Sequence, residues 1–188
     1  MLDAGPRRAL LELARGSLAH GIARGTALEV ELEVLEPVLA EPGASFVSLH
    51  LEGRLRGCVG LLEATRPLAA DVAENAFAAG LRDPRFAPLS ALELEAVEIS
   101  ISVLEASEAL PAAGLEALLA ALRPGEDGLI VELAGRRATF LPAVWEQLPE
   151  PADFVSQLWR KAGLPVGFWS PELRLARYRS HSFGEGDI

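Results

Sequence analysis

Two pairs of short, apolar-rich segments joined by very short turns constrain this chain more than any other feature. Residues 46–51 and 54–59 flank Glu52-Gly53, and residues 128–133 and 137–141 flank Ala134-Gly135-Arg136. A turn of that length joins antiparallel neighbours only, because parallel strands need a crossover of roughly a dozen residues or more. Residues 98–104 add a third strong strand signal. Ile99, Ile101 and Val103 alternate with Glu98, Ser100 and Ser102, the pattern of a strand with one buried face. Helical periodicity interleaves with these strands without strict strand-helix-strand repetition. The fold class expected is therefore α+β, a mainly antiparallel sheet with flanking helices.

The remaining elements follow from spacing and punctuation. Residues 6–23 carry Leu10, Leu13, Ala14, Leu18 and Ile22 at helical intervals, and Gly25 ends them. Residues 28–35 alternate apolar and acidic side chains, which reads as a strand or as an extended connection ending at Pro37. Pro37, Pro42 and Gly43 mark a loop. A helix starts at Thr65 or Arg66 with Pro67 in its first turn, and buries Leu68, Val72, Ala76 and Ala79. Asp83-Pro84-Arg85-Phe86 forms a turn. Residues 115–122, 142–147 and 151–162 are helical, and residues 173–183 close the chain as one strand.

A chain of 188 residues is long enough to hold a substantial core without a metal or disulfide staple. A single domain spanning residues 1–188, or one with an appended lobe, is expected. Its 27 acidic residues outnumber 17 basic ones, a net charge of -10. That balance disfavours nucleic acid and anionic membranes as partners. No signal peptide or membrane span is evident, and the lone cysteine cannot close an internal disulfide. A cytoplasmic location is the expectation.

That cysteine, Cys58, stands between glycines in Leu55-Arg56-Gly57-Cys58-Val59-Gly60. Its chemistry alone weighs evenly between a small core residue and a reactive thiol. On a regular strand Arg56 would share its face and could supply positive charge. His20, His50 and His181 are scattered, and His50 is the best placed to act as a base. Glu98 is a candidate acid/base if its strand face lines a site with Cys58. Asp83 and Arg85 read first as a local ion pair within their turn. Trp145, Trp159 and Trp169 read as core anchors. One cysteine and three dispersed histidines give no zinc set, though a carboxylate site for another metal stays open. Neither a Gly-x-Gly-x-x-Gly run nor a Walker loop is present, so no cofactor is specified.

The run around Cys58 resembles the Leu-Arg-Gly-Cys-Ile-Gly signature of the AMMECR1 family, with valine replacing isoleucine. The likeness continues through Phe46-Val47-Ser48-Leu49, Ala73-Glu74-Asn75-Ala76, Asp83-Pro84-Arg85-Phe86 and residues 98–104. It extends through Arg136-Arg137-Ala138-Thr139-Phe140-Leu141-Pro142 and Lys161-Ala162-Gly163-Leu164. These blocks occur in the family's order between residues 6 and 183. The bacterial form is similar to protein A of the AmmeMemoRadiSam system. The resemblance implies a larger sheet-containing lobe, a smaller lobe, and a cleft between them with the cysteine signature nearby. It nominates Arg56, Gly57, Cys58 and Gly60 as motif positions, with Asp83, Arg85 and Glu98 accompanying them, and assigns none of them a role. Their chemistry makes Cys58 and Glu98 the catalytic candidates, and Arg56, Gly57, Gly60, Asp83 and Arg85 the substrate-binding candidates. One expectation is an enzyme, or enzyme-system component, using the thiol on a small molecule or modified macromolecule. The alternative is a non-catalytic adaptor for a Memo-like protein or a radical S-adenosylmethionine protein.

Overall fold

The computed structural model describes residues 2–187, which divide into two compact units. The first runs up to Leu104 and resumes at His181; the second is Glu105–Ser180. Helices and antiparallel sheets build both, as the hairpins require.

In the first unit, helix α1 (Ala4–Arg24) buries Leu10, Leu11, Ala14 and Leu18, and ends at Gly25 in a left-handed conformation (φ 79°). A short helix α2 (Pro37–Ala40) precedes strands β1 (Pro42–Leu51) and β2 (Arg54–Gly60). Strand β3 (Arg66–Pro67) leads into α3 (Leu68–Leu81), followed by α4 (Ala91–Ala96) and β4 (Glu98–Leu104). The sheet order is β2-β1-β4-β9, with β9 spanning Ser180–Gly184 and β3 paired to the start of β1. Helices α1 and α3 cross closely because glycines stand at their contacts. Gly21 lies against Phe77, and Gly80 against Leu18. The Ser17 hydroxyl donates to the Ala73 carbonyl at 2.7 Å. Val47, Leu49, Ile99 and Ile101 form the inner face of the sheet in this core, each at most 1% exposed.

Several sequence expectations are decided or change here. Of the two readings open for residues 28–35, the connection holds and the strand does not. These residues make a connection with one 3-10 turn, Leu32–Val34, and the Leu28 N–H bonds the Ser17 hydroxyl at 3.1 Å instead of a neighbouring strand. Glutamate at alternate positions is a poor strand former, and no partner adds what propensity lacks. Residues 37–43 are not all loop. Pro37 opens α2, and Pro42 and Gly43 begin β1, where a proline at the first position costs no ladder bond. Pro67 caps α3 from outside, as Arg66 and Pro67 are extended against Gly43 and Pro42. Ser90 starts the unforeseen α4 through a capping box with Glu93.

The second unit holds β5 (Glu108–Ala109), α5 (Leu115–Ala121), β6 (Gly128–Leu133), β7 (Arg136–Phe140), α6 (Pro151–Lys161) and β8 (Arg174–Tyr178). Its antiparallel order is β5-β8-β6-β7. Leu129, Val131, Phe154, Leu158 and Trp159 fill its core. The Trp145 ring stacks on Phe154 at 3.8 Å, and its indole N–H donates to the Asp127 carbonyl. Residues 173–183 are thus two strands in two sheets rather than one. The buried positions Leu175, Tyr178 and Phe183 do not keep one period-2 phase, and no turn residue marks the change of partner between Tyr178 and Ser180.

Both hairpin turns have the expected physics. Glu52 and Gly53 (φ 52° and 72°), and Ala134 and Gly135 (φ 50° and 76°), are left-handed in pairs. Such pairs match the twist of the flanking strands. Among the described residues, no helix is long and apolar enough to cross a membrane.

Candidate functional site

Side chains of the first sheet alternate between the face packed on α1 and α3 and the opposite one. On the opposite face Cys58 lies directly across from Ser48, and Ser48 across from Ser100. The Ser48 hydroxyl donates to Cys58 Sγ at 3.3 Å, and the cysteine is half-buried. The neighbouring row is Leu55, His50 and Glu98; on the other side come Gly60, Phe46 and Ser102. Ser102 in turn shares a 2.8 Å hydroxyl contact with Ser182 on β9.

Strand β2 is an edge, which would leave the outward N–H and C=O of Cys58 without strand partners. The Asp83-Pro84-Arg85-Phe86 turn supplies both. Asp83 Oδ2 accepts the Cys58 N–H at 3.0 Å, and Arg85 Nη2 donates to the Cys58 carbonyl at 3.1 Å. Arg85 also grips Asp83 through Nε at 2.9 Å and Nη2 at 2.6 Å. The local ion pair read from the sequence is present, and it clamps the cysteine backbone.

Arg56 sits differently from the regular-strand expectation. Leu49 pairs with Gly57 and His50 with Leu55, so Arg56 is the extra residue of a β-bulge. A bulge breaks strict alternation and re-aims the side chain. Arg56 extends to Glu93 on α4, with Nε and Nη2 at 2.8 and 3.2 Å from the carboxylate oxygens. The signature's glycines are occupied by packing. A Cβ at Gly57 would overlap the Ala79 carbonyl of α3, and one at Gly60 would overlap the Phe46 ring and the Ser45 carbonyl.

Glu98 is exposed, beside His50 and two strands from Cys58. Strand spacing of about 4.8 Å and a two-residue rise of about 6.8 Å put it roughly 12 Å from the thiol position. The sheet brings the Cys58–Ser48–Ser100 row together, and does not bring Glu98 to the thiol. His20 is elsewhere, at the end of α1 beside Thr26. Among the described residues, no three His, Cys, Asp or Glu side chains converge on a metal-sized position.

Sequence reasoning missed four polar residues: Ser45, Asp71 and Asn75, which form one network, and Glu93. Asp71 is fully buried and Asn75 nearly so. Asp71 Oδ2 accepts the Ser45 N–H (2.8 Å), the Ser45 hydroxyl (2.7 Å) and Asn75 Nδ2 (2.8 Å), while Oδ1 accepts Arg66 Nε (2.9 Å). The network ties β1 to α3 at Ser45, three residues along β1 from Ser48. Polar residues on the apolar face of the 68–81 helix were the available signal for Asp71 and Asn75.

The two carboxylates near Cys58 are strongly tuned. Arg85 is the main cause holding Asp83 well below the usual carboxylate range; the Cys58 and Arg85 N–H groups assist, and burial opposes. Arg56, then Ser90, lowers Glu93 from 4.5 to about 2. Carboxylates whose folded values lie below their unfolded ones stabilise the fold above the unfolded value. That stability is lost as pH falls through the folded value. Wild-type stability should therefore decline between about pH 4.5 and pH 2, the interval bounded for Glu93. Glu93→Gln, which can keep the capping box, should be less stable at pH 7 and show a shallower decline in urea unfolding across that interval. Equal slopes for the two proteins would refute this role of Glu93.

Residues 11–183 match the AMMECR1 family model. The chain belongs to the AMMECR1 family. The match spans most of both units. A Methanothermobacter thermautotrophicus protein is 33% identical over 180 residues, covering 95% of this chain and 93% of the relative. Protein MJ0810 of Methanocaldococcus jannaschii is 30% identical over 186 residues, covering 94% and 92% respectively. Among solved structures, the crystal structure of uncharacterized protein PH0010 from Pyrococcus horikoshii superposes with a TM-score of 0.87 at 27% identity. It covers 94% of this chain and 89% of that one. The α+β architecture is thus that of an AMMECR1-family protein.

Proposed function

We propose that this AMMECR1-family chain is a component of an enzyme system and that Cys58 is its nucleophile. The supporting observation is the immobilised cysteine. Its backbone is held by β1 on one side and by Asp83 and Arg85 on the other, while a serine hydroxyl contacts Sγ. Positioning of that kind lowers the entropic cost of attack. In the proposed step Sγ bonds to an electrophilic carbon of a small molecule or modified macromolecule. The bond from that carbon to its leaving group breaks, and the thiol proton departs with the group displaced. Arg85, with 54% of its side chain exposed, is better suited than Arg56 to hold an anionic part of the substrate. Glu98 would act at the far end of a substrate lying across the strands.

Iodoacetamide tests this directly, because a single cysteine makes one adduct unambiguous. The native protein should be alkylated to completion, and Cys58→Ala should abolish cellular function. A native thiol that resists alkylation, with a fully functional Cys58→Ala variant, would overturn the reading.

A second reading rests on the structural tasks of Gly57, Gly60 and Asp83, and of Arg56 through Nε and Nη2, inside the protein. On that reading the row is the floor of an adaptor surface for a Memo-like or radical S-adenosylmethionine protein. Co-purification that survives Cys58→Ser but is lost on Glu98→Arg would favour it.

A further inference from the structure

The face of the second unit's sheet opposite its core carries a cavity of about 540 Å³. Two rows of cross-strand partners make its floor. Ala109, Ala176 and Ile130 are aligned in one row, and Arg174, Glu132 and Arg137 in the next. The cavity exists because alanines occupy two positions of the first row, where larger side chains would fill the space. Leu110, Trp169 and Pro171 contribute to its lining. Trp169 packs against the second unit's core, as expected for all three tryptophans, and also lines this cavity. Trp145 and Trp159 are buried at 4% and 0% exposure, whereas Trp169 is half-buried.

The lining is chemically divided. Its apolar part is formed by Ala176, Ile130, Leu110 and the indole. Its polar end presents Arg174, which is exposed and makes no ion pair among the described residues. Glu132 stands between Arg174 and Arg137 in that row, so the polar end holds two guanidinium groups and one carboxylate, a net positive charge in a chain whose overall charge is -10. Small-molecule sites have volumes of roughly 300–1,000 Å³, mostly apolar walls and a few polar groups that orient the ligand. We infer that this cavity binds a small organic anion with an apolar, aromatic-sized body. The body lies on the Ala109–Ala176–Ile130 row beside Trp169, and its acid group lies at Arg174. This site lies wholly within the second unit, apart from Cys58, and stands independently of the nucleophile reading.

A matched pair of fluorescent probes tests the inference on the full chain. 8-Anilinonaphthalene-1-sulfonate carries the acid group, and N-phenyl-1-naphthylamine has the same ring body without it. The wild-type protein should bind the sulfonate saturably at one site, and more tightly than the amine. Arg174→Glu should weaken the sulfonate about tenfold through charge reversal and leave the amine unchanged. Ala176→Leu should remove binding of both by filling the floor. Arg174 is exposed, so its variant remains informative if Ala176→Leu compromises folding. The proposal fails if the folded wild type shows no saturable binding, if the sulfonate binds no more tightly than the amine, or if Arg174→Glu leaves sulfonate affinity unchanged.

Discussion

Replacing Asp71 by alanine is expected to cost about 3–5 kcal/mol of folding stability, the scale for removing one partner of a buried charged network. The carboxylate is fully buried, and four donors converge on it from Ser45, Asn75 and Arg66. Alanine leaves the buried Ser45 N–H and hydroxyl without their acceptor, while Asn75 keeps its bond to the Ser45 carbonyl and Arg66 can turn to solvent. For a chain of this size the loss lowers the thermal midpoint by about 10 °C or more. Arg66→Ala should cost less but still destabilise: Oδ2 keeps its three donors, while Oδ1 loses its Arg66 bond and the buried carboxylate its counter-charge, which water can replace in part because Arg66 is 32% exposed. Urea unfolding of the two variants checks the asymmetry. An Asp71→Ala cost below about 1 kcal/mol would show that water replaces the network.

Gly57→Ala is the second large effect, expected near 3 kcal/mol, the upper end for overpacking a well-filled site. The added methyl meets the Ala79 carbonyl, which is helix backbone and cannot swing aside as a side chain can. Relief requires β2 to move from α3, which also disturbs the Asp83 and Arg85 bonds to Cys58. The variant should therefore lose stability and also change the native alkylation rate of Cys58. Gly53→Ala makes a useful contrast. No atom lies within 4 Å of its would-be Cβ, but its φ is +72°. Its cost is conformational, about 1 kcal/mol, and should leave Cys58 reactivity unchanged. An equal loss for both glycines would contradict a packing role for Gly57.

These contrasts bear on how far the site was legible beforehand. Arg-Gly-Cys-Val-Gly reads as a small-residue approach to a reactive thiol. Folded, its two glycines accommodate α3 and Phe46, and its arginine turns through a bulge to Glu93. Only the thiol remains without a structural task beyond its contact with Ser48. Asp83 and Arg85 were recognisable as a pair because they lie two residues apart. Their grip on Cys58 joins positions 25 and 27 residues apart. Spacing along a chain carries no information about such a contact.

Read as a linear string, the chain already specified its hairpins, its main helices, its α+β class and its family. The family rests on the resemblance of its motif blocks; the rest follows from local physics: turn conformations that suit glycine, side-chain periods set by backbone geometry, and prolines that end or begin elements. The folded molecule alone decided that residues 28–35 form no strand, that residues 173–183 divide between two sheets, and that Arg56 leaves the cysteine's face. It also decided that Asp71 and Asn75 are buried polar residues and that two alanines open a cavity beside Trp169. Each of these depends on which distant segment lies alongside, and strand pairing and burial are non-local. A strand's alternation is the same whichever partner it meets, and a carboxylate looks the same in sequence whether water or four protein donors surround it.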